Sequence, residues 1–457
     1  MKAEIITIGD ELLRGEIVDS NKARIAERLL LLDLECRFQV SVLDDPADMR
    51  DAFRRAAGRS DFVLVSGGLG PTRDDLTTEV MAETFDRQLE LDDNSLAAIQ
   101  AFFTRVGREM SDVNRKQAFL PTDADVLRNP IGTAPGFSIR EGRAAFFAMP
   151  GVPRELDLMM DEQVLPRIEG FLSTAVAAGA LSEGAAGATA VAAGARVVER
   201  RVVRAVLLRT FGMGESTLES ELLDLARDGD VDLGFRTSFP DNFLRPVARA
   251  KTAEEADARI GQVTDAIRAR LGAIVYGEGG DTMESVVGRL LTEHGLSVAT
   301  AESCTGGLIA ERITDVPGSS AYFLGGIVAY SNAAKASQLG VSEALIESEG
   351  AVSGPVVRAM AEGARARFGS DFAVATSGIS GPDGGTAEKP VGLVWIAISS
   401  AEGTHSDSFV FPVDRSRHRS LTTQVALDWV RRSMLGAELV GPSLLRRGGG
   451  GSAPGDS

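Results

Sequence analysis

Over its first 168 residues the chain repeats one unit: an apolar run of strand length, a turn rich in glycine or acid, then a helical pattern. Glu4 to Ile8 is such a run and ends in GDELLRG. Asn21 is placed to cap a helix that carries Ile25, Leu29 and Leu32 at helical spacing. Arg37 to Leu43 reads as a second strand, Ala47 to Ala57 as a helix, and Asp61 to Val65 as a third strand that runs into SGGLGPTRDDLT. Strands that alternate with helices are joined by crossovers, which predicts an α/β domain with a mostly parallel sheet. Ligands of such sheets collect at the strands' carboxyl ends. There Gly67, Gly68 and Gly70 allow close backbone approach, and a helix expected from Asp74 or Asp75 offers its N-terminus to a phosphate. Two acids oppose a bare phosphate, so Asp74 and Asp75 either cap that helix or hold a divalent cation. NPIGTAPG (Asn129 to Gly136, with Thr133) and PGVPRE (Pro150 to Glu155) are further turn-like runs, and together the three suggest walls of one pocket.

The length, 457 residues, exceeds one ordinary core and predicts two to four domains. With 44% hydrophobic and 25% charged residues the composition is that of a soluble globular protein. A formal charge of −17 opposes general binding to nucleic acid, which draws on surplus Lys and Arg. Two cysteines, Cys36 and Cys304, give no disulfide framework and fit a reducing compartment. No apolar run approaches the roughly 20 residues of a membrane span, and MKAEIITIGDELL already reads as a strand and turn. The expectation is a cytoplasmic protein without membrane contact. The three histidines, His294, His405 and His418, lack metal-ligand spacing: His294 precedes Gly295 at a helix end, and His418 falls in an Arg-rich segment expected to be exposed. Any hydrolytic base is therefore sought among the lysines, six of the 48 basic residues, because Lys loses its proton when desolvated and Arg does not.

From Leu172 to Ala195 the chain is mostly Ala and Gly, a linker or low-complexity insert. A small α+β unit follows. Its Gly212-Met213-Gly214-Glu215 lacks the GxxG spacing that clamps a nucleic-acid backbone, so a structural or subunit-contact role is expected. In the last part Thr282 caps a helix closed by His294-Gly295, and Leu296 to Glu302 is a strand that stops at Ser303-Cys304-Thr305-Gly306-Gly307 before a helical pattern. Tyr322 to Tyr330 reads as a strand buried on both faces. Ser331 and Asn332 start a helix carrying Lys335, and Asp371 to Ile379 leads into the glycine-rich SGISGPDGGTAEKP. Ser303, Ser320, Tyr330 and Lys335 all stand at or near strand–helix breaks. They suit a serine amidohydrolase with a lysine base, the N–H groups of Thr305 to Gly307 or of Ser377 to Gly381 receiving the carbonyl oxygen. The same residues also suit a plain helix cap, a strand-end aromatic and an exposed lysine. A Cys304 thiolate at a helix start is another nucleophile of the right kind.

GDELLRGEIVDSN, SGGLGPTRDDLT, NPIGTAPGF and PGVPRE resemble the MoaB/MogA-type molybdopterin-binding domain in the form found at the N-terminus of the CinA, or competence/damage-inducible, family. AESCTGG, PGSSAYFLGGIVAYSNAAK, SGISGP with PVGLVWIA, and FPVDRSRHR resemble that family's C-terminal domain, the nicotinamide mononucleotide deamidase family. The resemblance implies a multidomain α/β chain. Residues 1–168 would form the MoaB/MogA-like α/β domain, 169–195 a linker, 196–278 a KH-like α+β domain, 281–442 an α/β/α deamidase domain and 443–457 a disordered tail. It implies hydrolysis of nicotinamide mononucleotide to nicotinic acid mononucleotide and ammonia at Ser303, Ser320, Tyr330 and Lys335, without a cofactor, Ser320 being nearer the lysine in sequence. Thr305, Gly306, Gly307, Thr376, Gly378 and Arg415 would contact substrate. It also implies an N-terminal nucleotide site at Gly67, Gly68, Gly70 and Thr133. There Asp10, Glu11, Asp74 and Asp75 would hold Mg, Mn or Co for an ADP-ribose pyrophosphatase. A homodimer is expected. The alternative is a non-catalytic nucleotide-binding protein linked to competence or the DNA damage response.

Overall fold

A computed structural model describes residues 1–173, 201–225 and 231–442. Residues 174–195 of the expected linker and the tail from 443 lie outside them. The chain divides into two compact units, Met1–Arg204 with Arg249–Ala256, and Ala205–Ala248 with Asp257–Ser457.

The first unit begins β1 (Lys2–Ile8), α1 (Asp10–Leu13), α2 (Ser20–Leu31), β2 (Glu35–Val42), α3 (Pro46–Arg59), β3 (Phe62–Ser66) and α4 (Thr77–Thr84). It continues through β4 (Leu89–Leu91), α5 (Asp93–Arg105), β5 (Phe119–Pro121), β6 (Asp125–Leu127), β7 (Gly136–Glu141), β8 (Ala144–Met149) and α6 (Pro153–Met159). The main sheet has the order β2-β1-β3-β8-β7-β6, parallel from β2 to β8 and antiparallel beyond. Every residue of β3 (FVLVS) and β8 (AAFFAM) is buried, as central strands covered on both faces require. Two details differ from the sequence reading. Asp19, not Asn21, caps α2, accepting from the Lys22 N–H, while Asn21 turns inward and donates to Ser66 Oγ (3.0 Å) and the Gly151 carbonyl (2.7 Å). Helical structure after α6 also runs on to residue 173, and Ile168 and Leu172 are buried in this core, so the domain extends past 168.

The middle segment comprises β9 (Val202–Ala205), β10 (Leu208–Thr210), α7 (Glu215–Leu222), β11 (Val231–Ser238), β12 (Asp241–Ala250), α8 (Ala253–Leu271) and β13 (Val275–Glu278). Its antiparallel sheet has the order β11-β12-β10-β13, in keeping with the expected α+β, KH-like fold.

The C-terminal domain runs α9 (Met283–His294), β14 (Val298–Glu302), α10 (Leu308–Thr314), β15 (Phe323–Val328), α11 (Asn332–Leu339), α12 (Glu343–Glu349) and α13 (Gly354–Phe368). β16 (Phe372–Gly378), β17 (Leu393–Ser400), β18 (Gly403–Val410) and α14 (Arg415–Met434) complete it. Thr282 caps α9 and Gly295, at φ 63°, ends it, as its sequence pattern predicts. The sheet order is β15-β14-β16-β17-β18, with β14 parallel to both neighbours. One face packs Val298, Val374, Ile396 and Phe411 on α9, α10 and α14. The other presents Ala299, Ala301, Ala373, Ala375 and Ala397, side chains short enough to bring α13 close. β15 is an edge strand rather than one buried on both faces: Leu324 is 44% and Val328 51% exposed. Apolar content marks a strand but not whether a neighbour lies beyond it.

Candidate functional site

The chain leaving β14 crosses to β15 on one side, and the chain leaving β16 goes to β17 on the other. The carboxyl ends of β14 and β16 thus form a topological switch point, the usual ligand position in such sheets. Ser303, the first residue past β14, is anchored there by its N–H to the Thr376 carbonyl (3.0 Å). Lys335, on the first turn of α11, places Nζ 3.1 Å from Ser303 Oγ and donates to the Ala329 carbonyl at 2.9 Å. Lys335 is 1% and Ser303 9% exposed. Burial pushes the lysine's pKa below its ordinary value, because an ammonium loses its hydration there.

Around this pair the polar groups are held in place. The buried Glu302 carboxylate accepts the N–H groups of Gly307 (2.9 Å), Ile309 (3.1 Å) and Ala310 (2.9 Å), and the Gly306 N–H bonds the Ser303 carbonyl. The N–H groups of Gly306 and Gly307 are thus both bonded within the protein in this structure. Both residues adopt positive φ (60° and 95°), which lets the chain turn sharply from Ser303 into α10. Thr305 and Thr376 bond each other through their hydroxyls at 2.8 Å, both wholly buried, so in this structure they brace the floor. Gly378 closes β16, where a Cβ would lie 2.7 Å from the Leu393 carbonyl. Arg415, exposed at the start of α14, donates to the Gly381 carbonyl (2.8 Å) and to Tyr330 Oη (3.2 Å). Tyr330 is 62% exposed and follows Ala329, so Arg415 and Tyr330 form a rim beside the Lys335–Ser303 pair. Cys304 is a poor nucleophile, since burial pushes its thiol up to about 12.

Ser320 is not part of this cluster. It lies exposed in the turn Ser319–Ala321 that leads into β15, and the pairing of Val298 with Phe323 through Glu302 with Val328 puts the length of both strands between it and Ser303. That separation exceeds about 15 Å at strand rise. Nearness in sequence to Lys335 is misleading because β15 carries the chain across the sheet in between.

In the N-terminal domain the glycine turn is as tight as its sequence implies. A Cβ on Gly67 (φ 110°) would lie 2.2 Å from the Ile8 carbonyl oxygen, and one on Gly68 (φ 66°) 2.2 Å from Thr77 Oγ1. Gly70 abuts the Asp75 carboxylate, which accepts from the N–H and hydroxyl of Thr72 at 2.8 and 2.5 Å. Gln117 Nε2 donates to the Leu69 carbonyl (3.4 Å) and Thr133 Oγ1 (3.3 Å), tying two of the turn-like runs together. A cavity of about 390 Å³ beside them is lined by Gly68, Gly70, Asp75, Glu79, Lys116 and Phe119. α4 starts at Thr77, later than predicted, and leaves Asp74 exposed. Asp10 exchanges backbone-to-carboxylate bonds with Asp44 (2.9 and 3.1 Å). Burial first, then the charges of Asp10, Glu11 and Asp75, push the Asp44 carboxyl above its ordinary value. Among the described residues no three or more His, Cys, Asp or Glu side chains are grouped so that they could hold a metal.

Three family models match consecutive parts of the chain: "Probable molybdopterin binding domain" over residues 4–170, "Damage-inducible protein CinA KH domain" over 206–277, and "CinA C-terminal domain" over 280–434. A CinA-like protein of Geobacter sulfurreducens is 41% identical over 442 residues, covering 96% of this chain and all of its own length. The chain belongs to the CinA family. A second CinA-like protein, from Geotalea uraniireducens, is 39% identical over 95% of this chain and 98% of its own. The solved competence/damage-inducible protein CihA of Agrobacterium tumefaciens is 41% identical over 34% of this chain and 95% of its own, with a TM-score of 0.32. No helix among the described residues is long and apolar enough to cross a membrane.

Several residues of this CinA-family chain escape sequence reasoning. Asp44 and Lys116 are distant in sequence from the motifs they join; Lys116 Nζ bonds the Thr72 and Asp75 carbonyls. Arg419 grips the Thr305 carbonyl through Nη2 at 2.7 Å. His418 is fully buried, not exposed as its Arg-rich setting predicts: Nδ1 lies 2.9 Å from Ser380 Oγ and Nε2 3.1 Å from the Gly392 carbonyl. Its signal is spacing, because Leu421, Thr422 and Val425 stand three, four and seven residues on, along one buried face.

Proposed function

We propose that the C-terminal domain hydrolyses the carboxamide of nicotinamide mononucleotide, giving nicotinic acid mononucleotide and ammonia. The observation that carries this reading is the contact of Lys335 Nζ with Ser303 Oγ in a buried setting. Lys335 in its neutral form, which desolvation favours, takes the Ser303 proton as Oγ attacks the carboxamide carbon. The resulting lysine ammonium returns that proton to the departing nitrogen, ammonia leaves, and an acyl-serine ester remains. Water attacks the ester, its proton passing to Lys335 and then to Ser303 Oγ, which frees the carboxylate. The Ala329 carbonyl orients the amine throughout. With the Gly306 and Gly307 N–H groups bonded within the protein, the Thr305 N–H and the Ser380–Gly381 end of the glycine-rich loop are the sources of N–H groups for the oxyanion. Arg415, beside Tyr330, suits the single 5′-phosphate.

For the N-terminal domain we propose a phosphate-bearing nucleotide, such as ADP-ribose, at the Gly67–Gly70 turn and its adjoining cavity. Asp10, Glu11, Asp74 and Asp75 would supply carboxylate oxygens to a divalent cation that bridges to the phosphates. The test is ammonia release from nicotinamide mononucleotide by wild type and Ser303→Ala, with ADP-ribose and a divalent metal in a separate arm. Loss in Ser303→Ala supports the deamidase; no ammonia from wild type refutes it. Equilibrium dialysis against ADP-ribose tests the N-terminal site, and binding unaffected by Gly68→Val overturns that assignment.

A further inference from the structure

Ser380 and Gly392 bracket the loop that follows β16, and one side chain from another element touches both. His418, on the first turn of α14 and wholly buried, meets the Ser380 hydroxyl with Nδ1 (2.9 Å) and the Gly392 carbonyl with Nε2 (3.1 Å). A carbonyl only accepts, so Nε2 carries a proton; burial favours the neutral ring, in which Nδ1 accepts from the Ser380 hydroxyl. The loop's base is also zipped by its backbone, Gly392 N–H to Ile379 carbonyl at 2.7 Å and Ile379 N–H to Leu393 carbonyl at 2.8 Å. Three residues before His418, Arg415 reaches the Gly381 carbonyl at 2.8 Å. At its far side the loop is held by Lys389 Nζ on the Glu349 carbonyl at 2.8 Å.

We infer that His418 is a positioning residue: it fastens both ends of the 380–392 loop to the first turn of α14, so that Arg415 and the loop's N–H groups meet the substrate as one preformed unit. This rests on the deamidase reading for its substrate, not for the clamp itself. Preorganising a binding loop removes the ordering cost of closing it on the ligand, so losing the clamp weakens substrate binding more than it slows the chemistry at Ser303. The groups around the imidazole are the Ser380 hydroxyl and Gly392 carbonyl of the loop, the Phe411 ring 5.9 Å away, and the Arg415 guanidinium of its own helix. Burial and then the Arg415 charge press the His418 pKa below its ordinary value, against the Gly392 bond. Protonation would reverse the Nδ1–Ser380 bond, bury a charge and set a second cation beside Arg415. The clamp is therefore strongest at neutral pH and weakened in acid.

The experiment compares full-length wild type, His418→Leu, His418→Gln and Ser380→Ala by steady-state kinetics with nicotinamide mononucleotide between pH 5 and 8 and by hydrogen exchange of the 380–392 amides. Two lost hydrogen bonds predict a KM raised about ten-fold in His418→Leu with kcat changed less than about three-fold. Ser380→Ala moves the same way by less. Glutamine offers an acceptor and a donor without titrating, so His418→Gln restores KM and removes its rise in acid. Exchange in the loop speeds in His418→Leu and Ser380→Ala while the β14 amides stay protected. Unchanged loop exchange in both variants overturns the clamp, as does a fall in kcat at constant KM. If wild type releases no ammonia, the deamidase reading fails and loop exchange alone decides the clamp.

Discussion

Replacing Lys335 by methionine keeps a long apolar stem in the same buried slot and removes only the amine. Two hydrogen bonds are lost, to Ser303 Oγ and the Ala329 carbonyl, each worth about 1 kcal/mol net. Removing a poorly hydrated amine offsets that loss, so stability should change by no more than about 2 kcal/mol. Catalysis should change far more. A positioned base contributes about 10²- to 10⁴-fold, or roughly 3 to 5 kcal/mol of barrier, and no other titratable side chain bonds Ser303 Oγ among the described residues. Ammonia release is followed in a coupled assay, with thermal unfolding run in parallel on Lys335→Met, Ser303→Ala and the double variant. Serine and lysine act as one unit, so the double variant should be no slower than the slower single one. A Lys335→Met enzyme within ten-fold of wild type would refute the base assignment. Multiplying losses in the double variant would show instead that the two residues act independently.

Three further outcomes follow from the same geometry. Cys304→Ala should keep deamidation within about three-fold, since the thiol is pushed up to about 12 and stays protonated; abolished activity in a folded variant would return the nucleophile to cysteine. Arg415→Ala should raise KM about 10- to 100-fold with a smaller change in kcat, and Arg415→Lys should recover part of it; an unchanged KM would remove Arg415 from phosphate binding. Asp241, the first residue of β12, accepts from Tyr276 Oη (2.9 Å) and Gln424 Nε2 (2.7 Å), and burial raises its pKa to about 6. Its folded pKa lies above the unfolded one, so its stabilising contribution is present in acid and lost as pH rises through about 6. Asp241→Asn should therefore gain up to about 3 kcal/mol at pH 7.5 and nothing below pH 4, read by denaturant unfolding. A pH-independent difference would contradict this.

Much of the fold and part of the site can be read from local pattern. The strand–turn–helix units and the Thr282 and Gly295 helix ends follow from backbone rules acting over a few residues, and the close turn at Gly67 and Gly68 follows from the absence of side chains. Ser303 and Lys335 stand out as a hydroxyl at a strand end and a scarce lysine, although the same pattern also suits a helix cap and an exposed lysine, and the family resemblance decides between them. What escapes is whatever depends on register. Ser320 is seventeen residues from Ser303 in sequence and a whole sheet length away in space. Glu302 looks like a strand residue, but its buried carboxylate takes the Gly307 N–H, one of those that sequence reasoning offered to the substrate, together with those of Ile309 and Ala310. His418 in its Arg-rich segment reads as exposed and Asn21 as a helix cap, yet both find specific buried partners. Asp44 meets Asp10 only because β1 and β2 pair in parallel.

The central claim is a lysine that burial makes easier to deprotonate, beside the serine hydroxyl whose proton it takes. It is tested most directly by titrating the lysine side chains by NMR in isotope-labelled full-length protein, where six resonances are expected and Lys335→Met assigns one. Lys335 should titrate below the ordinary lysine value of about 10.4, with the pH dependence of kcat/KM following the same midpoint. A Lys335 resonance that titrates at or above the ordinary value, in an enzyme that still releases ammonia, would contradict it.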